Sequence, residues 1–525
     1  LPFPKISVII KIKMLIDIGG KKMPHISEVL KLKHRIIAEL THMTLNGELA
    51  IAPREILTRI VREDTPRYRC CEYKERAVLK ERLKVMMSQP ADINLSEAAG
   101  RALRGETLEG NVIKVVPIAC DQCPIDKFII TNACRNCLAH NCINSCPRNA
   151  IVIAQNHAYI DKGKCVECGL CKPACQYSAI IEVNRPCENA CALGAIQAGS
   201  DRKAKIDYDK CVQCGSCKVA CPFGAIEETT AIVPLLMELK RGTKMLAMLA
   251  PSYAGQFGAK VKNGQIVTAL KKMGFAGVCE AAYGADIVSV AEGDEFAADV
   301  PDKRKFMTTS CCPAFVSMVE KYLPEMKGNI SSVVSPMVAM GMYMKKQHSD
   351  MKIVFIGPCT AKKAEAKKYP DVIDYVITFD ELASMMAGIG IDLATEPESE
   401  GVFEASQAGN LFALSGGVAK AVTKYLAAAH PQKKGDLESC SADGLANCRN
   451  LLKQIADGKL KANFVEGMAC TGGCVGGPGA IADSRVTSKL VERQAATLAN
   501  VSAIDVEAAK NEAKSNDKLH LKHEM

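Results

Sequence analysis

Sixteen of the chain's 26 cysteines lie between Cys120 and Cys221, most of them separated by two or three residues. No other feature limits the fold so strongly. Scaffolds held together by dense disulfides are short secreted chains, and this one runs to 525 residues. Tight C-x-x-C spacing in a long chain reads instead as loops wrapped around metal. Such thiols must stay reduced, which places the protein in the cytoplasm.

Two segments carry C-x2-C-x2-C-x3-C: Cys165, Cys168, Cys171, Cys175 and Cys211, Cys214, Cys217, Cys221. This is the run of bacterial ferredoxins, in which three cysteines hold one four-iron cubane and the fourth reaches a second. The short gaps let one loop wrap three corners of a cubane. Zinc is the weaker alternative. A looser run joins Cys134, Cys137, Cys142 and Cys146. Four times a cysteine is followed by three residues and Ala-Ile, after Cys146, Cys175, Cys191 and Cys221. The repeat at Cys187 and Cys191 lacks its first two thiols, and Cys120 with Cys123 is the pair left to supply them. Sixteen thiols then close four cubanes. Alternatively Cys120 and Cys123 form a zinc or structural pair or stay free, leaving three.

The length suggests roughly three to four domains. Residues 24–115 have charged stretches with apolar residues at helical spacing, and no chemistry is attached to them. Cys70 and Cys71 read there as buried or inert. From about residue 240, apolar runs at 244–251, 285–292, 305–312, 352–359 and 374–382 read as buried strands separated by helices. The fold class is multidomain α+β and α/β. It comprises a mostly helical region at 1–115, ferredoxin-like 4Fe-4S repeats at 116–230, an α/β catalytic domain at 231–490 and a helical or disordered tail at 491–525. Residues 1–20 are too short and too lysine-interrupted to span a bilayer. The formal charge of +9 counts cysteines as neutral. A cubane with four thiolates carries about −2, so four would bring the holoprotein near neutrality. Neither nucleic-acid nor membrane binding is expected.

Three cysteine motifs remain: Thr309-Ser310-Cys311-Cys312-Pro313, Pro358-Cys359 with Lys362 and Glu365, and Glu466-Gly467-Met468-Ala469-Cys470 with Cys474. Four of these thiols can close a further cubane. Glycines around Cys474 allow close backbone approach. A purely structural cluster would not account for an extra thiol, a lysine and a methionine at one place. No G-x-G-x-x-G accompanies them, so direct NAD use is not expected.

These three motifs, with the ferredoxin region before them, resemble the iron-only (FeFe) hydrogenases across roughly residues 120–480. The monomeric subgroup with a multi-cysteine ferredoxin region is the most similar. The resemblance implies that Cys312, Cys359, Cys470 and Cys474 hold a cubane. It further implies that Cys474 bridges to a two-iron subsite carrying carbon monoxide, cyanide and a dithiolate. By the same likeness Lys362 and Ser252, in Ala250-Pro251-Ser252, contact the cyanides. Pro336, Pro358 and Met468 line the pocket, and Cys311 passes protons to a relay of Glu292, Ser331 and Glu295. Maturation enzymes would insert the two-iron group, and a soluble ferredoxin would exchange electrons. Departures from the family pattern are Phe315, Met337, Gly357 and Thr471, with Asp299 near the place of an outer arginine. An iron–sulfur assembly scaffold and a hydrogen-sensing protein are the competing readings. Retention of Cys311, Lys362, Met468 and Glu292 argues against the scaffold; an intact Cys311 position and no ligand-sensing domain argue against the sensor.

Overall fold

The computed structural model describes residues 27–498 apart from 64–67, 125, 200, 402–404 and 434. The apolar stretch at 1–20 and the tail beyond 498 lie outside the described residues. Among those described, no helix is long and apolar enough to cross a membrane.

Among the described residues, four helices precede the cysteine region: Glu28–Leu45, Glu55–Ile60, Glu72–Met86 and Leu95–Leu103, with a single turn at Glu48–Ile51. The Ser27 hydroxyl caps the first, accepting from the Leu30 amide at 3.2 Å. This helix lies against Phe379–Ile389, more than 300 residues away in sequence. Gly388 makes the approach possible, because a Cβ there would sit 2.4 Å from the Ala38 carbonyl. Ile36, Ile37 and Leu40 join Leu382, Met385 and Met386 in one apolar cluster. The helical region therefore has no core of its own. Cys70 and Cys71 depart from expectation, since both are exposed.

The cysteine region is built from four two-stranded antiparallel ribbons. They pair Phe128–Ile130 with Ile180–Glu182, Ile151–Ala154 with His157–Ile160, Ile196–Ala198 with Ala204–Ile206, and Ile113–Val115 with Ile226–Glu228. The isoleucine of each Ala-Ile repeat opens one strand: Ile151, Ile180, Ile196 and Ile226. Such short ribbons bury little apolar surface, so the thiol-lined loops must be held by what they bind.

Two parallel sheets form the C-terminal half. One runs in the spatial order Gly277–Glu280, Met245–Leu249, Lys352–Gly357, Tyr375–Thr378; the other runs Met307–Thr308, Phe464–Met468, Ser439–Asp443. Four of the five expected strand runs contain strands. The fifth, 285–292, lies inside the helix Ala281–Asp299. That helix is packed against Pro336–Gln347 on one side and Gly417–Ala429 on another. A helix covered on most sides is apolar all round and loses the period that marks an amphipathic one. The helix Ser484–Thr497 runs across residue 490; its Val491 packs with Ala254, Ala413 and Val475, and Ala495 is also buried.

Candidate active site and cluster ligands

The three cysteine motifs and Ala250-Pro251-Ser252 each follow the carboxyl end of a parallel strand. Ala250 follows Met245–Leu249, Thr309 follows Met307–Thr308, Pro358 follows Lys352–Gly357 and Ala469 follows Phe464–Met468. The strands before Ala250 and Pro358 are neighbours at the point where strand order reverses, the usual place for a crevice in an open α/β sheet. The four loops enclose a cavity of about 80 Å³ whose walls are almost wholly apolar. Cys311, Cys312, Cys359, Cys470 and Cys474 all line it, together with Ala250, Pro251, Ser252, Pro336, Pro358, Lys362 and Met468.

Cys312 and Cys359 occupy the N-cap positions of the helices Pro313–Tyr322 and Thr360–Ala366. There the positive end of the helix favours a thiolate. Burial opposes it and raises Cys359 and Cys474 to about 12, with Cys312 crowding both. Burial likewise raises Cys470 well above the ordinary range, and Cys359, Cys312 and Cys474 crowd it. Thiols raised in this way become anionic together only when cations bind them. Gly473 has φ +94°, and a Cβ there would meet the Ala413 carbonyl at 2.7 Å, so no side chain fits beneath Cys474.

Lys362, in the first turn after Cys359, donates to the Cys311 carbonyl at 3.2 Å and to Glu365 Oε2 at 2.6 Å. Its buried ammonium borders the cavity. On another wall the Ser252 hydroxyl is fully buried and has no hydrogen-bond partner among the described residues. An orphaned hydroxyl costs about 1–3 kcal/mol, which argues for a polar group in the cavity. The four thiols fit a cubane, and the Ser252 hydroxyl and Lys362 ammonium fit polar ligands on a group held beside it. Glu466 has a structural part in its motif. It accepts from the Gly416 and Ala419 amides at 2.7 and 2.9 Å and caps the helix Gly417–Ala429.

Behind Cys311 stands a chain of buried polar groups. Burial raises the Cys311 thiol well above its ordinary value, and the adjacent Glu292 raises it further. Glu292 is itself fully buried and pushed up to about 7 by desolvation, against the lowering effect of the Ser310 amide. Its Oε1 accepts from that amide at 3.1 Å and from the Ser310 hydroxyl at 3.2 Å. Ser331 stands close enough to temper the rise in Glu292 and donates to Glu295 Oε2 at 2.7 Å. Glu292, Glu295 and Asp299 form a stripe along the helix Ala281–Asp299, at helical spacings of three and four. The sequence shows no outer arginine at this stripe. The structure provides one from further along the chain: Arg304 pairs with Glu295 at 2.6 Å and also with Asp299. Sequence reasoning missed it because a turn brings residue 304 back beside 299, with the Lys303 and Arg304 amides both donating to the Asp299 carbonyl.

The sixteen wire cysteines fall into four neighbourhoods. Burial raises Cys187 to about 11, and Cys221, Cys123 and Cys120 lie around it. Burial also raises Cys217, beside Cys214, Cys211 and Cys191. Cys171 has Cys165, Cys146 and Cys168 as neighbours, and Cys142 has Cys175 and Cys137, with Cys134 just before them. In each pair of runs the fourth cysteine crosses to the other set. The Cys-x3-Ala-Ile repeat acquires a physical cause. The alanine amide donates to the sulfur of Cys146, Cys175, Cys191 and Cys221 at 3.2–3.4 Å in every copy. The turn that allows this needs a left-handed residue three after each cysteine: Asn149, Ser178, Gly194 and Gly224, φ 48–63°. Among the described residues no three His, Cys, Asp or Glu side chains converge on a single ion. Cubane thiolates each meet a different iron and stay further apart. The set around Cys214 adjoins the thiols of the cavity, with Cys312 near Cys214 and Cys214 near Cys470. The Thr360 hydroxyl donates to the Gln213 carbonyl at 2.9 Å and fixes one loop against the other.

Fold and site together are those of an iron–sulfur protein in which ferredoxin-like cysteine runs adjoin a thiol-lined cavity. Residues 243–478 match the model of the iron-only hydrogenase large subunit, C-terminal domain, and residues 158–181 and 204–227 match the 4Fe-4S binding domain. The chain is 31% identical over 373 residues to the periplasmic Fe hydrogenase large subunit of Nitratidesulfovibrio vulgaris, covering 61% of this chain and 85% of that one. It is 33% identical over 266 residues to iron hydrogenase 1 of Clostridium pasteurianum, covering 42% of this chain but only 46% of that protein. A probable cytosolic Fe-S cluster assembly factor of Culex quinquefasciatus is 26% identical over 262 residues, covering 39% of this chain and 54% of the factor. A solved hydrogenase from Chlamydomonas reinhardtii aligns with 21% identity and a TM-score of 0.40, over 53% of this chain and 89% of that one. The chain belongs to the iron-only hydrogenase family.

Proposed function

We propose that the protein is a hydrogenase that interconverts dihydrogen with protons and electrons and exchanges those electrons with a soluble ferredoxin. One observation carries the reading. Four convergent thiols, a buried ammonium and a fifth thiol backed by a carboxylate chain share a single apolar-walled cavity. In this reading Cys312, Cys359, Cys470 and Cys474 would hold the cubane, and Cys474 would also help to hold a two-iron group with carbonyl, cyanide and dithiolate ligands. That group, when bound, supplies the metal site at which dihydrogen is split or formed. The protein's own residues do the rest. Lys362 and Ser252 orient the diatomic ligands, and Pro336, Pro358, Met468, Ala250 and Pro251 exclude water. Cys311 holds a proton at its sulfur and passes it to Glu292, then through Ser331 to Glu295, from which Arg304 and Asp299 lead to the surface. Hydrogen evolution by anaerobically matured protein with a reduced electron donor tests the activity.

The thiol neighbourhoods support four accessory cubanes, with Cys120 and Cys123 completing the set of Cys187 and Cys221. Full occupancy with the catalytic group then gives about 22 iron atoms per chain. Iron analysis and Mössbauer spectroscopy near 18 would instead support three.

Arg304 holds the outer carboxylate of the relay at the surface end. Arg304→Ala is expected to slow turnover severalfold, roughly the effect of loosening one proton-transfer step, with iron content unchanged. Equal rates for this variant and the parent protein would remove Arg304 from the path.

The match to a cluster assembly factor supports a second reading, in which the same thiols hold a cluster for delivery. The chain of polar groups from Cys311 to Arg304 favours the enzyme, because delivery of a cluster needs no proton path into the cavity.

A further inference from the structure

Cys70 and Cys71 are used by neither the cluster wire nor the catalytic pocket. Both are exposed, and their sulfurs stand 3.7 Å apart on the same side of the chain. Adjacent side chains on extended backbone normally diverge, so this pairing is a specific local geometry. Cys71 is the N-cap of the 15-residue helix Glu72–Met86. The backbone at Lys74, the Cys70 thiol and the backbone at Tyr73 lower the Cys71 thiol from its ordinary value. Of the other 24 cysteines only Cys168 is exposed, and it belongs to a cluster run. Reactive thiols that sense oxidants share three traits: thiolate character, solvent access and a second thiol poised to resolve the first product. Exposure and a neighbouring thiol are present here, at a helix N-terminus that favours a thiolate.

We propose that Cys70 and Cys71 form a peroxide-reactive dithiol, with Cys71 as the attacking thiolate and Cys70 as the resolving thiol. In the first step the Cys71 sulfur attacks one peroxide oxygen. The S–O bond forms, the O–O bond breaks, and hydroxide or alkoxide leaves with the bonding pair, so sulfur is oxidised by two electrons. In the second step the Cys70 sulfur attacks the Cys71 sulfur. The S–S bond forms, the S–O bond breaks, and the departing hydroxide takes the Cys70 proton to give water. A disulfide between neighbouring residues is strained, so a dithiol reductant reopens it readily.

The position gives the reaction a consequence. Arg69, one residue before the pair, binds Asp121 and donates to the carbonyls of Ala119 at 3.0 Å and Phe223 at 3.3 Å. Lys74 pairs with Asp121 at 3.1 Å. Asp121 lies between Cys120 and Cys123, and Phe223 lies two residues after Cys221. Closing the ring moves the backbone beside the residue that tethers this cluster loop.

The test uses cluster-loaded protein treated anaerobically with one equivalent of hydrogen peroxide. Trypsin cuts after Arg69 and Lys74 and releases both thiols in one peptide that contains no other cysteine. That peptide is expected to be two hydrogens lighter after peroxide and to recover its mass with dithiothreitol. In Cys70→Ser, dimedone should trap a sulfenic acid on Cys71, whereas Cys71→Ser should give no adduct on Cys70. Before oxidation, iodoacetamide should label Cys71 at least about tenfold faster than Cys440, a part-exposed thiol raised by burial. Labelling no faster than Cys440, or a peptide of unchanged mass after peroxide, overturns the proposal. Both substitutions are isosteric at exposed positions, and iron content reports whether the clusters survive.

Discussion

Cys311→Ala is expected to keep its full iron content and lose nearly all hydrogen turnover, by roughly a hundred- to ten-thousandfold, the usual contribution of a positioned acid–base group. The neighbouring substitution should behave differently. Cys312→Ala removes a thiol at the N-cap facing Cys359, Cys470 and Cys474 and should lower iron content itself. The two thiols are adjacent in sequence but have different surroundings: Cys311 is beside Glu292, and Cys312 is beside the other cluster thiols. Iron analysis and gas chromatography on the two matured variants check the division. A Cys311→Ala protein that turns over near the parent rate would overturn the relay.

Glu228→Gln should be the most destabilising single substitution outside the cluster ligands. The Glu228 side chain has no exposed surface, and three ammoniums surround it: Lys33, Lys218 at 3.0 Å and Lys363 at 3.7 Å. Lys33 also binds Asp380 at 2.5 Å, and Lys363 binds Glu381 at 2.6 Å. Burial would raise the Glu228 carboxyl, but Lys218, Lys33 and Lys363 outweigh it and hold the group well below the ordinary carboxylate range. Its stabilising contribution is therefore present above the ordinary carboxylate pKa and is lost as pH falls through the lowered value. Removing one partner of a buried ion pair costs about 3–5 kcal/mol. The denaturation midpoint of Glu228→Gln should fall accordingly. That of Glu97→Gln, an exposed partner of Arg101, should barely move. Equal midpoints would show that the network is not what joins the N-terminal helices, the wire and the catalytic half.

What the sequence disclosed follows from how local each feature is. Cubane loops are set by gaps of two and three residues, so their cysteines are legible without any tertiary knowledge. The catalytic motifs are legible for a related reason, since each lies on one loop at the end of one strand. That Cys146, Cys175, Cys191 and Cys221 each lie among the thiols of another run is a consequence of the ribbons that fold the runs together. Arg304 was hidden because a turn, not a helical period, returns it to Asp299. The charge network was hidden for a stronger reason. Lys33 meets Glu228 and Asp380 across 195 and 347 residues, and no periodicity reports such pairings. The run at 285–292 misled because burial on most sides removes the helical signature.

The most direct test of the central claim is the infrared spectrum of the protein matured under anaerobic conditions. The proposed two-iron group between Ser252 and Lys362 requires carbonyl and cyanide stretching bands in a spectral region where polypeptide does not absorb. Their appearance, and their weakening in Lys362→Ala, is the expected result. A protein that carries its full complement of cubanes after maturation yet shows no such bands would contradict the account and favour the assembly reading.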